Sequence, residues 1–255
     1  MTHPAFKDYF SASAAEYATF RPRYPSALFD FVSSIPLRRH VAWDCATGSG
    51  QAAVPLADRF ERVIATDASR EQILHATPHP RVSYGVALAD ASGLADASVD
   101  LVTVAQALHW LPLERFFAEA RRVVAPGGAL AVWCYTRSVL EGELDEILLR
   151  YYSGTCRDYW PPERRLVDEG YASLPMPFDE IPAPPMQIEV PLTLAEFGGY
   201  MRTWSATRKL ADAIGRDPVV ALVSDMRPLW GHEGERRIVR WPIRVRAGRL
   251  EHQAA

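Results

Sequence analysis

Lysine is nearly missing from this chain. Lys7 and Lys209 are the only two among 255 residues, and arginine carries the remaining positive charge. With a net charge of −3 and no lysine-rich patch, a general nucleic-acid surface is not expected. Cysteine is scarce too. Cys45, Cys134 and Cys156 are odd in number, form no CxxC pair and have no histidine at ligand spacing. They read as reduced thiols of the cytoplasm, with neither a disulfide framework nor a metal site. No apolar run approaches the ~20 residues of a membrane span, and MTHPAFKDYF lacks a basic-then-apolar signal pattern. Internal repeats, low-complexity runs and a clean linker are absent as well. What remains is one cytoplasmic globular domain, long enough for a sizeable core, with no membrane or nucleic-acid partner expected.

The most informative stretch is HVAWDCATGSGQ, His40 to Gln51. Val41, Ala42 and Trp43 form a short apolar strand ending at Asp44. A small-residue loop follows, Cys45-Ala46-Thr47-Gly48-Ser49-Gly50. Ala52, Ala53, Leu56 and Phe60 then recur at helical spacing, predicting a helix over Gln51–Phe60. Glycine lets such a loop take positive φ and approach a ligand closely. The helix start adds free N–H groups and partial positive charge, which suits an anionic ligand group. On its own the loop is equally a tight strand-to-helix turn.

The rest of the chain makes it more than that. Strands are predicted at Arg62–Thr66, Arg81–Val86, Val99–Ala105 and Ala129–Tyr135, with helices at Ser26–Ile35, Ser69–Ala76 and Leu113–Val124. Pro126-Gly127-Gly128 reads as a turn. This alternation predicts an α/β fold, a doubly wound, mostly parallel seven-stranded sheet. After Tyr135 the character changes. Helices are expected at Val139–Tyr152, Leu194–Leu210 and Pro218–Trp230, around a proline-rich stretch and a strand at Gln187–Leu192. The single domain divides into an N-terminal strap or lid with the first helix (1–37), a cofactor-binding core (38–136), a helical cap with the sixth strand (137–235) and a last strand (236–246) interrupted by Pro242.

Two cofactor classes use a strand–glycine loop–helix unit. Gly48-x-Gly50-x-x-Ala53 fits the dinucleotide pattern, and Asp67 follows at the distance of a ribose-binding acid, so an NAD(P)-dependent oxidoreductase is one reading. Asp44 argues the other way. A pyrophosphate would be repelled by a carboxylate directly before the loop, whereas a ligand with ammonium and sulfonium groups would be attracted. S-adenosylmethionine has both, and a ribose diol for Asp67.

Here the sequence resembles the class I S-adenosylmethionine-dependent methyltransferases. Asp44-Cys-Ala-Thr-Gly48-Ser-Gly50 matches the family's D-x-G-x-G-x-G, with Ala46 at the first glycine. Asp67 matches the acid that ends the second strand. Ala89-Asp90 falls at the adenine contacts, with Leu88 where many members have an acid. Asp96 to Val102, Gln106-Ala-Leu-His109-Trp110 and Val123 to Gly128 complete the match. The resemblance implies a cofactor site of Asp44, Ala46, Thr47, Gly48, Gly50, Gln51, Asp67, Ala68, Ala89, Asp90 and Gln106, and release of S-adenosylhomocysteine. Tyr17…Arg21-Pro-x-Tyr24-Pro, QALHW and Thr203-Trp204-Ser205 are similar to the branch that includes the trans-aconitate methyltransferase relatives. That branch implies a small-molecule acceptor, a carboxylic acid among the candidates; a protein or RNA acceptor is the alternative.

Methyl transfer from a sulfonium mainly needs alignment and exclusion of water, with a base only if the nucleophile arrives protonated. Ligands in this fold sit outside the carboxyl ends of the strands, which points to Gln106, His109, Trp110, Trp133 and Tyr135 around the methyl. His109 titrates nearest neutrality and is either a base or a positioning group. Trp110 is a pocket wall or a core residue. Tyr17 and Arg21 are placed with the acceptor, Arg21 as a carboxylate ligand or as a surface ion pair. The arginines of Arg236–Arg246 read as a solvated strand face.

Overall fold

Apolar residues alternate along the strands between two buried layers. Ala42, Leu101, Ala131 and Trp133 face one layer; Trp43, Val102, Val132 and Cys134 face the other. A strand points successive side chains to opposite faces, so both faces of this sheet must be covered. The computed structural model describes residues 22–250. Tyr17 and Arg21 lie outside the described residues, as does most of the expected strap.

The strands are β1 (Val41–Cys45), β2 (Arg62–Asp67), β3 (Val82–Val86), β4 (Val99–Ala105), β5 (Val124–Tyr135), β6 (Met186–Leu192) and β7 (Arg237–Arg249). They form one seven-stranded sheet in the order β3-β2-β1-β4-β5-β7-β6. The first five run parallel, and β7 is antiparallel to both β5 and β6. The sheet is therefore mixed at one end. The order reverses between β1 and β4, and that switch opens a crevice at the carboxyl ends of the strands.

Helix α1 (Ser26–Ser34) lays Leu28, Phe29 and Val32 on the first layer. Short α2 (Ala53–Leu56) and α3 (Arg70–Leu74) follow β1 and β2. Helix α4 (Leu113–Val123) covers the second layer with Phe116, Ala120 and Val123. Between β5 and β6 come α5 (Glu143–Arg150) and α6 (Arg164–Asp168); between β6 and β7 come α7 (Leu194–Arg202), α8 (Ser205–Ile214) and α9 (Val219–Trp230). Among the described residues, no helix is long and apolar enough to cross a membrane.

Several expected elements differ, each for a local reason. The helix expected over Gln51–Phe60 is α-helical only over Ala53–Leu56. Pro55 has no N–H to give, and Ala57 N divides its bond between the Ala53 and Val54 carbonyls. The dipole expected behind the glycine loop is thus that of a single turn. Pro126-Gly127-Gly128 does not end a strand but bulges within β5: Val99 pairs with Val124 and Leu101 with Ala129. A Cβ on Gly128 would lie 2.8 Å from the Asp100 carbonyl oxygen. The helix expected over Leu194–Leu210 is two, because Thr203 Oγ1 donates to the Tyr200 carbonyl at 2.6 Å and Trp204 is extended. The last strand runs to Arg249 rather than to Arg246, and Pro242 does not interrupt it. Its carbonyl, and so its missing N–H, face the β5 side just past the end of β5, where Thr136 N donates to the Pro242 oxygen at 3.1 Å. Of the arginines at 236–246, Arg236 and Arg244 are exposed, while Arg240 bridges Glu141 and Glu189 at the surface and Arg246 holds Glu180 and the Leu174 carbonyl.

Candidate active site

The β1–α2 loop is braced from below. Asp44 is fully buried and accepts hydrogen bonds from Thr47 in the loop (2.5 Å) and Thr103 on β4 (2.7 Å). Burial pushes its carboxyl up to about 6, against the two hydroxyls that hold it down. Its part is therefore to fix the loop from inside the protein. Ala46, Gly48 and Gly50 all take positive φ (55°, 57° and 85°). Gly50 has a second reason to be glycine, since a Cβ there would run into the Tyr84 hydroxyl, which bonds the Thr77 carbonyl at 2.8 Å. Ala46 adopts the same left-handed region with a methyl group and carries the strain of it.

Asp67 closes β2 beside this loop. Its carboxylate accepts from Gly48 N at 2.9 Å and Ser69 N at 2.8 Å, tying the first strand-to-helix turn to the second. Ala68 is half-buried next to it, and Gln51 is half-buried where the loop leads into α2. After β3 the chain turns back through a Leu88–Ala91 bridge. Ala89 packs on the second core layer, and the Asp90 side chain, 5% exposed, pairs with Arg115 of α4.

Gln106 ends β4 at φ 55°. Its backbone N–H donates to the Trp133 carbonyl (2.9 Å) and its side-chain amide N–H to the Tyr135 carbonyl (3.2 Å). The Oε1 atom is buried and has no hydrogen-bond partner. Buried polar atoms are rarely left so, and one at a crevice marks a place for a ligand donor. Residues 108–110 form a 3-10 turn that stacks His109 against Trp110, ring centres 4.7 Å apart. His109 Nδ1 lies 3.0 Å from the Tyr171 hydroxyl. Burial, and then the nearby Arg164 charge, pull its pKa from 6.5 down to about 3. The imidazole is neutral at physiological pH and a poor proton acceptor.

Gln106, His109, Trp110 and Tyr135 form one side of a cavity of about 200 Å³. Trp160, Arg164, Tyr200, Trp204 and Arg208 form much of the other. Trp133 corrects the sequence-based expectation. It is wholly buried, its ring 6.2 Å from Phe29 and 5.7 Å from Tyr24, and it lies outside the cavity wall. Trp133 and Tyr135 share the face toward the α1 layer, but Trp133 is covered there by Phe29 and Tyr24. Trp160, Arg164, Tyr200 and Arg208 were not foreseen. They come from segments far apart in sequence, and the one available signal was the density of aromatic residues around Trp160-Pro161-Pro162.

A family model described as a methyltransferase domain matches residues 43–132. A relative from Dictyostelium discoideum, named as a methyltransferase, is 31% identical over 220 residues, covering 85% of this chain and 84% of its own length. A solved structure from Anaeromyxobacter dehalogenans, described as a type II methyltransferase, is 45% identical with a TM-score of 0.87. The match covers 91% of this chain and 98% of that one. The chain belongs to the class I S-adenosylmethionine-dependent methyltransferases. A methyltransferase structure from Bacillus halodurans shares the fold at 19% identity, with a TM-score of 0.51 over 89% of this chain and 99% of that one. Family membership favours the methyltransferase reading of the glycine loop over the NAD(P) reading. The residues also fit that family's cofactor. The unpartnered Gln106 Oε1 offers an acceptor to a cationic donor, beside a loop whose glycines leave the backbone open.

Proposed function

We propose that this methyltransferase methylates a small-molecule carboxylic acid. S-adenosylmethionine, when bound, supplies a methyl group on a sulfonium and leaves as S-adenosylhomocysteine once the methyl passes to the acceptor oxygen. In this reading the Cys45–Gly50 loop, Gln51, Asp67 and Ala68 hold the nucleoside end, with Ala89 and Asp90 at the adenine. Gln106 receives the amino-acid end, and Asp44 acts through Thr47. His109, Trp110 and Tyr135 face the acceptor, and helices α5 to α9 cap it.

One observation carries the choice of acceptor: the cavity-wall imidazole of His109 is buried with its Nδ1 3.0 Å from the Tyr171 hydroxyl and with the Arg164 charge nearby, surroundings that disfavour taking up a proton. A phenol or an amine would need its proton removed. A carboxylic acid arrives ionised at neutral pH and needs no base. A cavity of about 200 Å³ suits a small acceptor better than a macromolecular one. QALHW and Thr203-Trp204-Ser205 both contribute to that cavity, which supports the trans-aconitate methyltransferase-like branch.

Two measurements test this. Saturating S-adenosylhomocysteine at ~100 times its Kd should stabilise the protein by about 2.7 kcal/mol, whereas NAD and NADP should not. Release of S-adenosylhomocysteine should then be followed with panels of carboxylic acids, phenols and amines. Turnover of acids alone, with a rate flat from about pH 6 to 8, is expected. Turnover confined to phenols, amines, or the proteins of a cell extract would overturn the acceptor class.

A further inference from the structure

Arg164 stands in the cavity wall in an unusual state. Its Nε donates to the Tyr152 hydroxyl at 2.8 Å and to Asp168 Oδ1 at 3.0 Å. The Tyr152 hydroxyl in turn lies 2.7 and 2.8 Å from the two Asp168 oxygens. The guanidinium carbon sits 5.0 Å from the centre of the Trp160 ring and 5.5 Å from that of Tyr152. The side chain is 21% exposed. The fork is thus pinned at its base and stacked on its faces, while its two terminal nitrogens bond to nothing among the described residues. Arg137, on the same wall, differs: both its terminal nitrogens are committed to Asp145 at 2.8 Å.

Asp168 pairs with the Nε edge only, so the two terminal N–H₂ groups of this cavity-lining guanidinium remain able to bond an anion that enters. Its planar fork matches the two oxygens of a carboxylate. Pinning at Nε removes much of the side-chain entropy that such a contact would otherwise cost. The rings around it, Trp160 against Tyr152 at 4.7 Å and against Trp204 at 5.4 Å, offer flat faces to whatever the fork holds. We propose that Arg164 is the anion clamp of the acceptor site, and that it selects flat, conjugated carboxylates. This rests on the proposed acceptor reading for its source of carboxylate. The clamp fixes how the acceptor lies, and the inference concerns that recognition rather than the bond-forming step.

The test uses the full chain loaded with S-adenosylhomocysteine and benzoate as the probe. Benzamide serves as the neutral isostere and cyclohexanecarboxylate as the non-planar one. Binding is read by tryptophan fluorescence and by the NMR titration of His109, whose neighbour Arg164 would be neutralised. Benzoate should bind, benzamide and cyclohexanecarboxylate at least tenfold more weakly, and the His109 pKa should rise on benzoate binding. Arg164→Gln should weaken benzoate about tenfold to a hundredfold, Arg164→Lys should recover part of it, and S-adenosylhomocysteine affinity should stay within about twofold. Equal binding of benzoate and benzamide to wild type would overturn the clamp without any variant. Equal binding of cyclohexanecarboxylate would overturn its selectivity for flat acids. A large loss of S-adenosylhomocysteine affinity in Arg164→Lys would assign the fork to the cofactor's own carboxylate and overturn the proposal. Methylation of phenols or amines alone, with benzoate still bound through Arg164, would sink the acceptor reading and leave the anion site standing.

Discussion

Replacing His109 by asparagine tests whether the cavity imidazole is buried and uncharged. Its pKa falls from 6.5 to about 3, through burial first and the Arg164 charge second. Below about pH 6.5 the unfolded chain takes up a proton that the folded chain refuses until about pH 3. His109 therefore supports the fold fully above that upper value and progressively less as the pH drops toward the lower one. Between about pH 8 and about pH 5 the loss is about 2 kcal/mol. Asp44 opposes it. With a pKa raised from 3.8 to about 6, its folded form protonates first, and the fold gains over the same interval, offsetting much of that loss. The wild type alone would show little net change from this pair, so the variant is what separates them. Urea unfolding at the two pH values gives the difference directly. The stability gap between wild type and His109→Asn should shrink by about 2 kcal/mol on going to the lower pH, while all other titrating groups cancel. A gap that stays constant to within about 0.5 kcal/mol would refute the buried, neutral imidazole. The argument against a histidine base would then fall with it.

Three further substitutions probe the loop and the bulge. Ala46→Gly should relieve the positive φ and stabilise the fold by about 1 kcal/mol, seen as a rise of roughly 2–4 °C in thermal unfolding. Asp67→Ala should abolish measurable S-adenosylhomocysteine binding by calorimetry, and should cost about 1–3 kcal/mol of stability as Gly48 N and Ser69 N lose their acceptor. Gly128→Ala should destabilise by about 1–3 kcal/mol in urea, because the new methyl meets, besides the Val124 side chain, the backbone oxygens of Asp100 and Ala125, which cannot swing away.

The cofactor half of the molecule was readable because its signals are local. Asp44, the glycines and Asp67 follow one another within a single strand–turn–strand unit, where backbone conformation and chemistry demand particular residues at fixed spacing. Strand β4 was equally plain, apolar through most of its length and buried on both faces. Side-chain direction was less accessible. Trp133 and Tyr135 share a face of β5, yet only Tyr135 reaches the cavity, because Phe29 and Tyr24 pack over Trp133. The Asp90–Arg115 pair likewise needs the packing of α4. The cavity's far wall was out of reach altogether. Trp160 and Arg164 come from one segment and Tyr200 and Arg208 from another, and only the tertiary fold brings the two opposite His109.

The place of β7 has a consequence for how this chain is made. Sixth in the spatial order but last in the sequence, it is inserted between β5 and β6, so neither of those strands has a partner on that side until it arrives. Roughly a hundred residues are synthesised between Tyr135 and Arg237, and for all that time β5 presents an open edge to the cell. β6 waits as an orphan beside α7. A ribosome that stalls in α9, or a truncation before Arg237, leaves two unpaired edges at once, the condition under which nascent chains pair with one another instead of with themselves.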